Sequence, residues 1–483
     1  FDYLAAIDCM DDRLKKLGFD VHKIKISSLI PVMDNQQSSG HSFEDERILS
    51  LMDAGDAFRK KFSDGAALVK LALLEVLAYR KEAKVKSEGG DIKPIAYVFL
   101  SLKNPKELEL LRDIYEDAFV AISFYQPRDR RVDSLARRIA RTREAFDPEK
   151  HRSTAEQIVN RDEQAGSPLG QRVSEVFANA DYFISMTNRI AGLRAMERFI
   201  DILFGHPFIT PTVDEYGMFL AWGVSLRSAD LSRQVGAALC DSEGNLIAVG
   251  CNDVPRAGGG QYWPSDDDGR DFQRGFDSSA FEKKQLVAEL IYRLSETGWL
   301  EQSVAELSSE EQIKKLMGNG DASLLKGIGI NNLLEFGRIV HAEMAAIADA
   351  ARRGLAVQDA TLFVTTFPCH VCARHIVAAG AKRVVYIEPY PKSRAKDLHD
   401  DSLVVDSPKL AEGKVTFQAF NGISPRRYGS MFSMVQRKNS SGKAVRAEPS
   451  LRQRRFKSAP DRYITQEDLI LDEFDKALAS AEG

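Results

Sequence analysis

The sequence predicts an α/β protein of two to three domains. Three observations carry that prediction. The chain has 483 residues, too many for one compact core at roughly 150 residues per domain. A strand, a helix and a strand follow one another between Ile95 and Tyr125. In the second half a hairpin precedes helices and strands in alternation. Composition is ordinarily globular, with 44% hydrophobic and 28% charged residues. The net charge of -4 leaves no basic footprint over the chain as a whole, which weakens a polynucleotide partner. No apolar run approaches the ~20 residues of a membrane span, since Leu68 to Tyr79 is interrupted by Lys70 and Glu75. Cys9, Cys240 and Cys251 lie in apolar settings as buried thiols, which fits a reducing cytoplasm. The chain opens on Phe1 rather than Met, so a targeting segment cannot be read from it.

From the N-terminus, Asp2 to Leu17 places apolar residues at helical spacing, Gly18 closes the helix, and Val21 to Ile26 alternates as a strand. Ile95 to Leu100 is a continuous apolar run suited to a buried parallel strand. Asn104-Pro105 then supplies a cap and a first-turn proline for a helix through about Glu116, and Ala118 to Tyr125 is another strand. That order makes a βαβ unit and hence a parallel sheet. Arg128 to Arg143 holds seven arginines among sixteen residues, either a lid over a nucleotide or the solvated face of an amphipathic helix. The stretch from Gln171 to Ile184 reads as a helix feeding a short strand.

In the second half, Glu215 to Ala229 reads as an amphipathic helix and Arg233 to Leu239 begins a strand. Gly244-Asn245 is a hairpin turn, and Leu246 to Gly250 returns. Residues 265–336 form an insertion with helical stretches at Phe281 to Leu294 and Ser308 to Met317. A helix at His341, a strand at Thr361 to Thr366, a helix at Cys369 and a strand at Arg383 to Ile387 complete the pattern. Arg426 to Lys457 carries ten Lys and Arg against one acid, Glu448. Such an arm could hold phosphates or an RNA, although a solvated linker is the commoner outcome. Asp461 to Ala479 is an acidic amphipathic helix, packed on a domain or on a neighbouring subunit. The expected boundaries are 1–205, 211–430 and 431–483.

The chemistry concentrates between His341 and Cys372. One imidazole and two thiolates, from His341, Cys369 and Cys372, are the ligand types Zn2+ prefers, and three of them leave the fourth tetrahedral position for water, as in a catalytic site. Cys369 and Cys372 are three apart, so both sulfurs share one face of a helical turn whose N-terminus favours thiolate charge. Glu343, two residues after His341, projects elsewhere and is free to act as acid and base. Taken separately, C-x-x-C could be a redox pair or half a structural zinc knuckle, and H-x-E a solvated helix start. No second C-x-x-C exists to complete a four-cysteine site. H-x-E followed by P-C-x-x-C is the pattern of zinc-dependent nucleobase deaminases.

Residues 1–205 resemble the P-loop kinase-like fold of nucleotide and nucleoside kinases. No G-x-x-x-x-G-K-[ST] occurs, and such a loop is expected ahead of Phe1, because the chain opens on what would be the helix after it. Arg233-Gln234-Val235-Gly236-Ala237, the Asn252 segment, His341-Ala342-Glu343 and Phe367 to Ala373, with Ala378-Ala379-Gly380 and Val384-Val385-Tyr386, closely resemble deoxycytidylate deaminases. Together with the kinase-like half and Glu388 to Ser393 followed by His399, the combination looks like the bacterial anti-phage dCTP deaminases. The resemblance implies a three-layer α/β/α cytidine deaminase-like core, with His341, Cys369 and Cys372 on zinc and Glu343 moving the proton. It implies Asn252 on the nucleoside, and Arg256, Lys392, Ser393 and His399 on the sugar and phosphates. It further implies deoxycytidine nucleotides as substrates, a homo-oligomer, a nucleotide at the first domain, an inhibitory small RNA or other gate, and no membrane. Two rivals remain: a deaminase of polynucleotides, and a nucleotide- or RNA-binding regulator whose zinc is only structural.

Overall fold

Helix Leu4–Lys16 buries Ala6, Ile7, Met10 and Leu14 along one stripe. Gly18, at φ +87°, then turns the chain into β1 (Asp20–Lys25). A computed structural model describes residues 3–30, 43–86, 93–264, 267–318, 336–390, 393–407, 409–446, 455–456 and 460–482. The chain folds as two compact units, residues 1–215 with 420–483, and residues 216–419.

In the first unit β1 pairs in parallel with β2 (Ile95–Leu100). The residues of β2 are half-buried rather than sealed in a core. Asn104 caps the helix Pro105–Tyr115 as its sequence predicts: its side chain accepts from the Lys106 N–H at 3.0 Å, and Glu107 accepts from the Asn104 N–H at 3.1 Å. A 3-10 turn at Glu116–Ala118 delays the next strand, so β3 spans only Ile122–Tyr125. β3 pairs in parallel with β4 (Tyr182–Ser185), and the short strand Gly422–Ile423 runs antiparallel on the other side of β4. The expected βαβ unit therefore does not close on itself. Its two strands join different ladders, β2 with β1 and β3 with β4.

The arginine-rich segment is the helix Arg128–Thr142, which buries Val132, Leu135, Ala136, Ile139 and Ala140. Its arginines turn to carboxylates on other helices: Arg131 to Glu163 at 2.6 Å, Arg143 to Asp45 at 2.8 Å, and Arg138 to Glu44. This is the amphipathic helix with a charged outer face, one of the two readings of the sequence. The final helix, Pro460–Glu482, seats Leu471 and Phe474 among Phe58, Leu68, Leu73, Val76 and Leu111 of the first unit. Its Glu467 is fully buried and accepts from both terminal nitrogens of Arg80, at 2.7 and 3.0 Å, and from the Tyr115 hydroxyl at 2.5 Å.

The second unit is built on one mixed sheet of β5 (Gly236–Cys240), β6 (Leu246–Cys251), β7 (Thr361–Thr366), β8 (Arg383–Glu388), β9 (Leu403–Val405) and β10 (Val415–Ala419). The order is β6-β5-β7-β8-β10-β9. β5 is antiparallel to both neighbours, and the pairings from β7 onward are parallel. The β5–β6 turn forms because the Asp241 carboxylate accepts from the Glu243 and Asn245 N–H groups while Gly244 takes φ +89°. Helices Ala342–Arg352 and His370–Ala378 cover the face that carries Leu239, Leu362, Val364, Val384 and Phe417. Residues 216–225 of the helix Val213–Ser225 cover the opposite face, where a Cβ on Gly217 would stand 2.3 Å from the Phe363 ring. The result is three layers, helix on sheet on helix. The insertion contributes helices Ser278–Glu296 and Ser309–Met317. Among the described residues no helix is long and apolar enough to cross a membrane.

Two predictions follow from the first unit's buried charges. Removing one partner of a buried pair strands the other, so Glu467→Ala should cost about 3 kcal/mol in chemical denaturation; a loss under about 1 kcal/mol would mean the helix is held by its apolar face alone. Burial pushes Asp45 up, but Arg143, which donates to both its oxygens, brings the carboxyl net below its ordinary range. A carboxylate lowered in the folded state adds stability above its unfolded pKa of about 3.9 and loses it as pH falls through the folded value. The melting temperatures of wild type and Asp45→Asn should therefore differ at pH 6 and converge below about pH 4.

Candidate metal centre

The helix that carries the imidazole lies almost on the backbone of the sheet. Ala342, Ala346 and Ala350 are fully buried along its inner stripe. A Cβ on Gly250 of β6 would come within 2.4 Å of the Ala346 nitrogen and 2.5 Å of the Ala342 oxygen. Only small residues on both partners permit that approach. His341 is the N-cap residue of this helix. Ahead of it, Val340 exchanges backbone hydrogen bonds with Asp253, at 3.1 and 3.3 Å, two residues past the end of β6.

Cys369 is likewise an N-cap residue, and its sulfur accepts from the Cys372 N–H at 3.4 Å. Two helix starts thus bring their first residues together. The His341 Nδ1 lies 3.4 Å from Cys369 Sγ and 3.4 Å from Cys372 Sγ, and the three ligand atoms all fall within 4.8 Å of one another. In a tetrahedral site with Zn–S of about 2.3 Å and Zn–N of about 2.0 Å, nitrogen and sulfur ligands stand about 3.6 Å apart. Both nitrogen–sulfur separations therefore fit zinc, and the electrostatics agree. A hydrogen bond from Cys372, together with the His341 imidazole, holds the Cys369 thiol well below its ordinary range, toward thiolate. The Cys369 sulfur in turn draws the His341 pKa upward.

Glu343 is 4% exposed. Burial raises its carboxyl above the usual range, while the neighbouring imidazole pulls in the opposite sense. It also lies within reach of the Cys372 thiol, on the side of the ligand set. A buried carboxyl with a raised pKa beside a group of metal ligands is a candidate for acid–base chemistry.

The other residues singled out from sequence occupy varied positions. Asn252 is buried one residue beyond β6; its Oδ1 accepts from the Val235 N–H at 2.6 Å and its Nδ2 donates to the Arg233 carbonyl at 2.8 Å. The Ser393 hydroxyl donates to the Pro368 carbonyl at 2.7 Å and accepts from the Ala395 N–H at 3.3 Å, tying the segment after β8 to the residue before Cys369. Arg256 is exposed in a turn closed by its N–H to the Gly260 carbonyl at 3.0 Å. His399 is half-buried at the end of the short helix Ala395–Leu398. Lys392 lies outside the described residues. Of the remaining thiols, Cys240 and Cys251 are buried as expected, whereas Cys9 is only half-buried.

The motifs read from sequence contain Arg233, Glu388 and Tyr390 without giving them a role at the centre, and do not single out Asp230. Asp230 acts electrostatically on His341, and Tyr390 feels the charge of Cys369. The Arg233 guanidinium stands 5.7 Å from the Tyr390 ring centroid and 3.5 Å from Glu388. No spacing rule joins these residues, because Asp230 and Arg233 precede β5 while Glu388 and Tyr390 lie at and just past the end of β8, in two separate segments.

Residues 211–388 match a family model described as the cytidine and deoxycytidylate deaminase zinc-binding region, which includes His341, Glu343, Cys369 and Cys372. Zinc is thus the metal of this region, and His341, Cys369 and Cys372 form the group able to hold it. The deoxycytidylate deaminase of Enterobacteria phage T4 is 46% identical over 55 residues, 11% of this chain and 28% of that protein. ComE operon protein 2 of Bacillus subtilis is 42% identical over 53 residues, 11% of this chain and 28% of the relative. A probable deoxycytidylate deaminase of Drosophila melanogaster is 24% identical over 178 residues, 36% of this chain and 58% of the relative. The chain spans less than a third of the length of the phage relatives it matches. A solved dCMP deaminase of cyanophage S-TIM5, in complex with dCMP and dUMP, is 18% identical, with 44% of this chain and 100% of that chain covered and a TM-score of 0.25.

Metal analysis of the purified protein should return one zinc per chain, and Cys372→Ser should lose it. Gly250→Ala should lower stability by about 2 kcal/mol or more and weaken zinc retention against a chelator, because the helix must lift off β6. Full zinc retention in Gly250→Ala would separate the close approach from the metal site.

Proposed function

We propose that the second unit is a zinc-dependent hydrolase that removes the 4-amino group of cytosine in free deoxycytidine nucleotides, converting dCMP or dCTP to dUMP or dUTP and ammonia. The buried Glu343 beside a set of three ligands carries this proposal. A purely structural zinc takes four protein ligands and has no use for a buried carboxyl, whereas the described residues offer three. When bound, zinc polarises water and lowers its pKa toward neutrality.

Glu343 accepts the proton that water gives up as its oxygen bonds to C4, and delivers that proton to N3. It then takes the proton of the new C4 hydroxyl and passes it to the amino group, which leaves as ammonia as the C4 carbonyl forms. The raised pKa of Glu343 suits both directions of transfer. Asn252 contacts the nucleoside with the N–H and the lone pair that its two backbone bonds leave over. On the resemblance of the motifs, Arg256, Lys392 and His399 are assigned to the sugar and phosphates, and Ser393 holds the Pro368 carbonyl in place next to Cys369.

Carried further on the resemblance of the motifs, the activity drains dCTP in the cytoplasm and so starves phage DNA synthesis. On the same ground, the first unit is a kinase-like nucleotide-binding element, the chain assembles with copies of itself, and a small RNA or another gate restrains it.

Glu343→Ala should keep its zinc while ammonia release falls by about 10²- to 10⁴-fold, the usual worth of a positioned acid–base. Assays on dCMP, dCTP and a cytosine-containing oligonucleotide, read as uracil product, should give turnover on the free nucleotides. An active Glu343→Ala protein removes the mechanism, and turnover on the oligonucleotide alone removes the substrate.

A further inference from the structure

The basic arm holds an arginine that the proposed chemistry does not use. In the first unit, a cleft of about 360 Å³ is lined by Arg112, Glu116, Asp117, Phe119, Asp181 and Arg427. It lies at the amino ends of β3 and β4: Asp181 immediately precedes β4, and Ser424, whose N–H donates to the Asp181 carbonyl at 2.9 Å, leads into Arg427. Parallel α/β sheets bind nucleotides at the carboxyl ends of their strands, so this cleft is at the other end from a crevice of that kind.

The Arg427 side chain is 15% exposed and is fixed on two sides. Its Nη1 donates to Asp117 at 2.5 Å, and its guanidinium lies 4.6 Å from the Phe456 ring centroid. Its Nε and Nη2 are buried and find no hydrogen-bond partner among the described residues. Those two nitrogens form the edge of the fork that binds two oxygens of a phosphate or carboxylate side by side. Leaving such donors unmet is unfavourable, and an entering oxyanion removes that penalty.

The carboxylates around the cleft are already engaged. Asp181 accepts from Arg112 at 3.0 Å and from the Ala121 N–H at 2.8 Å, and Glu116 pairs with Arg462 at 2.9 Å. Arg426 adds a further positive charge, which interacts with Arg112 and Asp181. Asp117, at 61% exposed, is the partner that an entering anion displaces most easily.

We propose that this cleft binds a dianionic oxyanion, the phosphoryl group of a small phosphorylated molecule, with Arg427 as its anchor and Asp117 as the internal competitor. Displacement of Asp117 from Nη1 lets the guanidinium turn its Nε–Nη2 edge, buried in the free protein, onto the phosphate. Arg426 adds long-range attraction, and Phe119 offers an apolar wall to whatever the phosphate is attached to.

Calorimetric titration of the full chain with inorganic phosphate and, separately, with AMP tests this. Arg427→Gln should weaken binding at least tenfold, and Asp117→Asn, at a mostly exposed position where folding is not at stake, should tighten it about threefold. Binding of AMP well above phosphate identifies an ester as the occupant; equal binding identifies the free anion, and both support the site. Anion binding at the metal centre would be untouched by either substitution. The proposal fails if wild type binds neither probe, if folded Arg427→Gln binds as well as wild type, or if Asp117→Asn does not tighten binding.

Discussion

The second unit depends on one constraint: the start of one helix must reach the start of another closely enough for a nitrogen and two sulfurs to share an ion. Neither helix could be displaced by an ångström without breaking the 3.4 Å separations between His341 and the two cysteines. The sheet sets that distance. Gly250 and the alanine stripe let helix Ala342–Arg352 settle onto β6, and Pro368, held by Ser393, sets where the chain leaves β7 for Cys369. His341 and Cys369 thus occupy N-cap positions and Cys372 the first turn, where unsatisfied N–H groups favour thiolate, and the Cys372 N–H is spent on the Cys369 sulfur.

Around that constraint the unit bears a second cost, a buried carboxyl whose neighbours are an imidazole and a thiol rather than an arginine. Desolvation makes Glu343 hold its proton more tightly, while His341 favours the ionised form. Those opposed influences leave a group able to take and return a proton, which a surface glutamate or one locked to an arginine could not do as readily. Glu107 and Glu467 make the contrast within the same chain. Each is buried, yet each is bound by an arginine and by further donors, Glu107 by backbone N–H groups and Glu467 by a tyrosine hydroxyl. Their role is to fasten helices.

Much of this was legible in the sequence where the signal is local. H-x-E and P-C-x-x-C named the ligand set before any coordinate, Asn104-Pro105 marked a helix start, Gly244-Asn245 marked a turn, and β2 and β7 begin and end where their apolar runs do. Long-range features were not. The pattern strand, helix, strand is the same whether two strands pair with each other or with third strands, so the separate ladders of β2 and β3 left no trace in it. Short strands such as β9 carry too few residues to show a period. Asn252 was expected at the nucleoside, but residue type cannot tell that both ends of its amide are engaged by the backbone at Arg233 and Val235.

Arginines illustrate the same limit from the side of charge. By composition the run from Arg128 to Arg143 and the arm from Arg426 are alike, two basic stretches equally suited to phosphate. Their acceptors separate them. In the helix, Arg131 and Arg143 end on carboxylates at 2.6 and 2.8 Å, so an anion arriving there would have to break existing pairs for no net gain. Arg427 keeps one corner on an exposed aspartate and leaves the edge best shaped for two oxygens unmatched. The density of positive residues ranks the helix first, seven in sixteen against ten in thirty-two; buried unmet donors among the described residues rank the arm first, and it is unmet donors that an anion can satisfy at a gain.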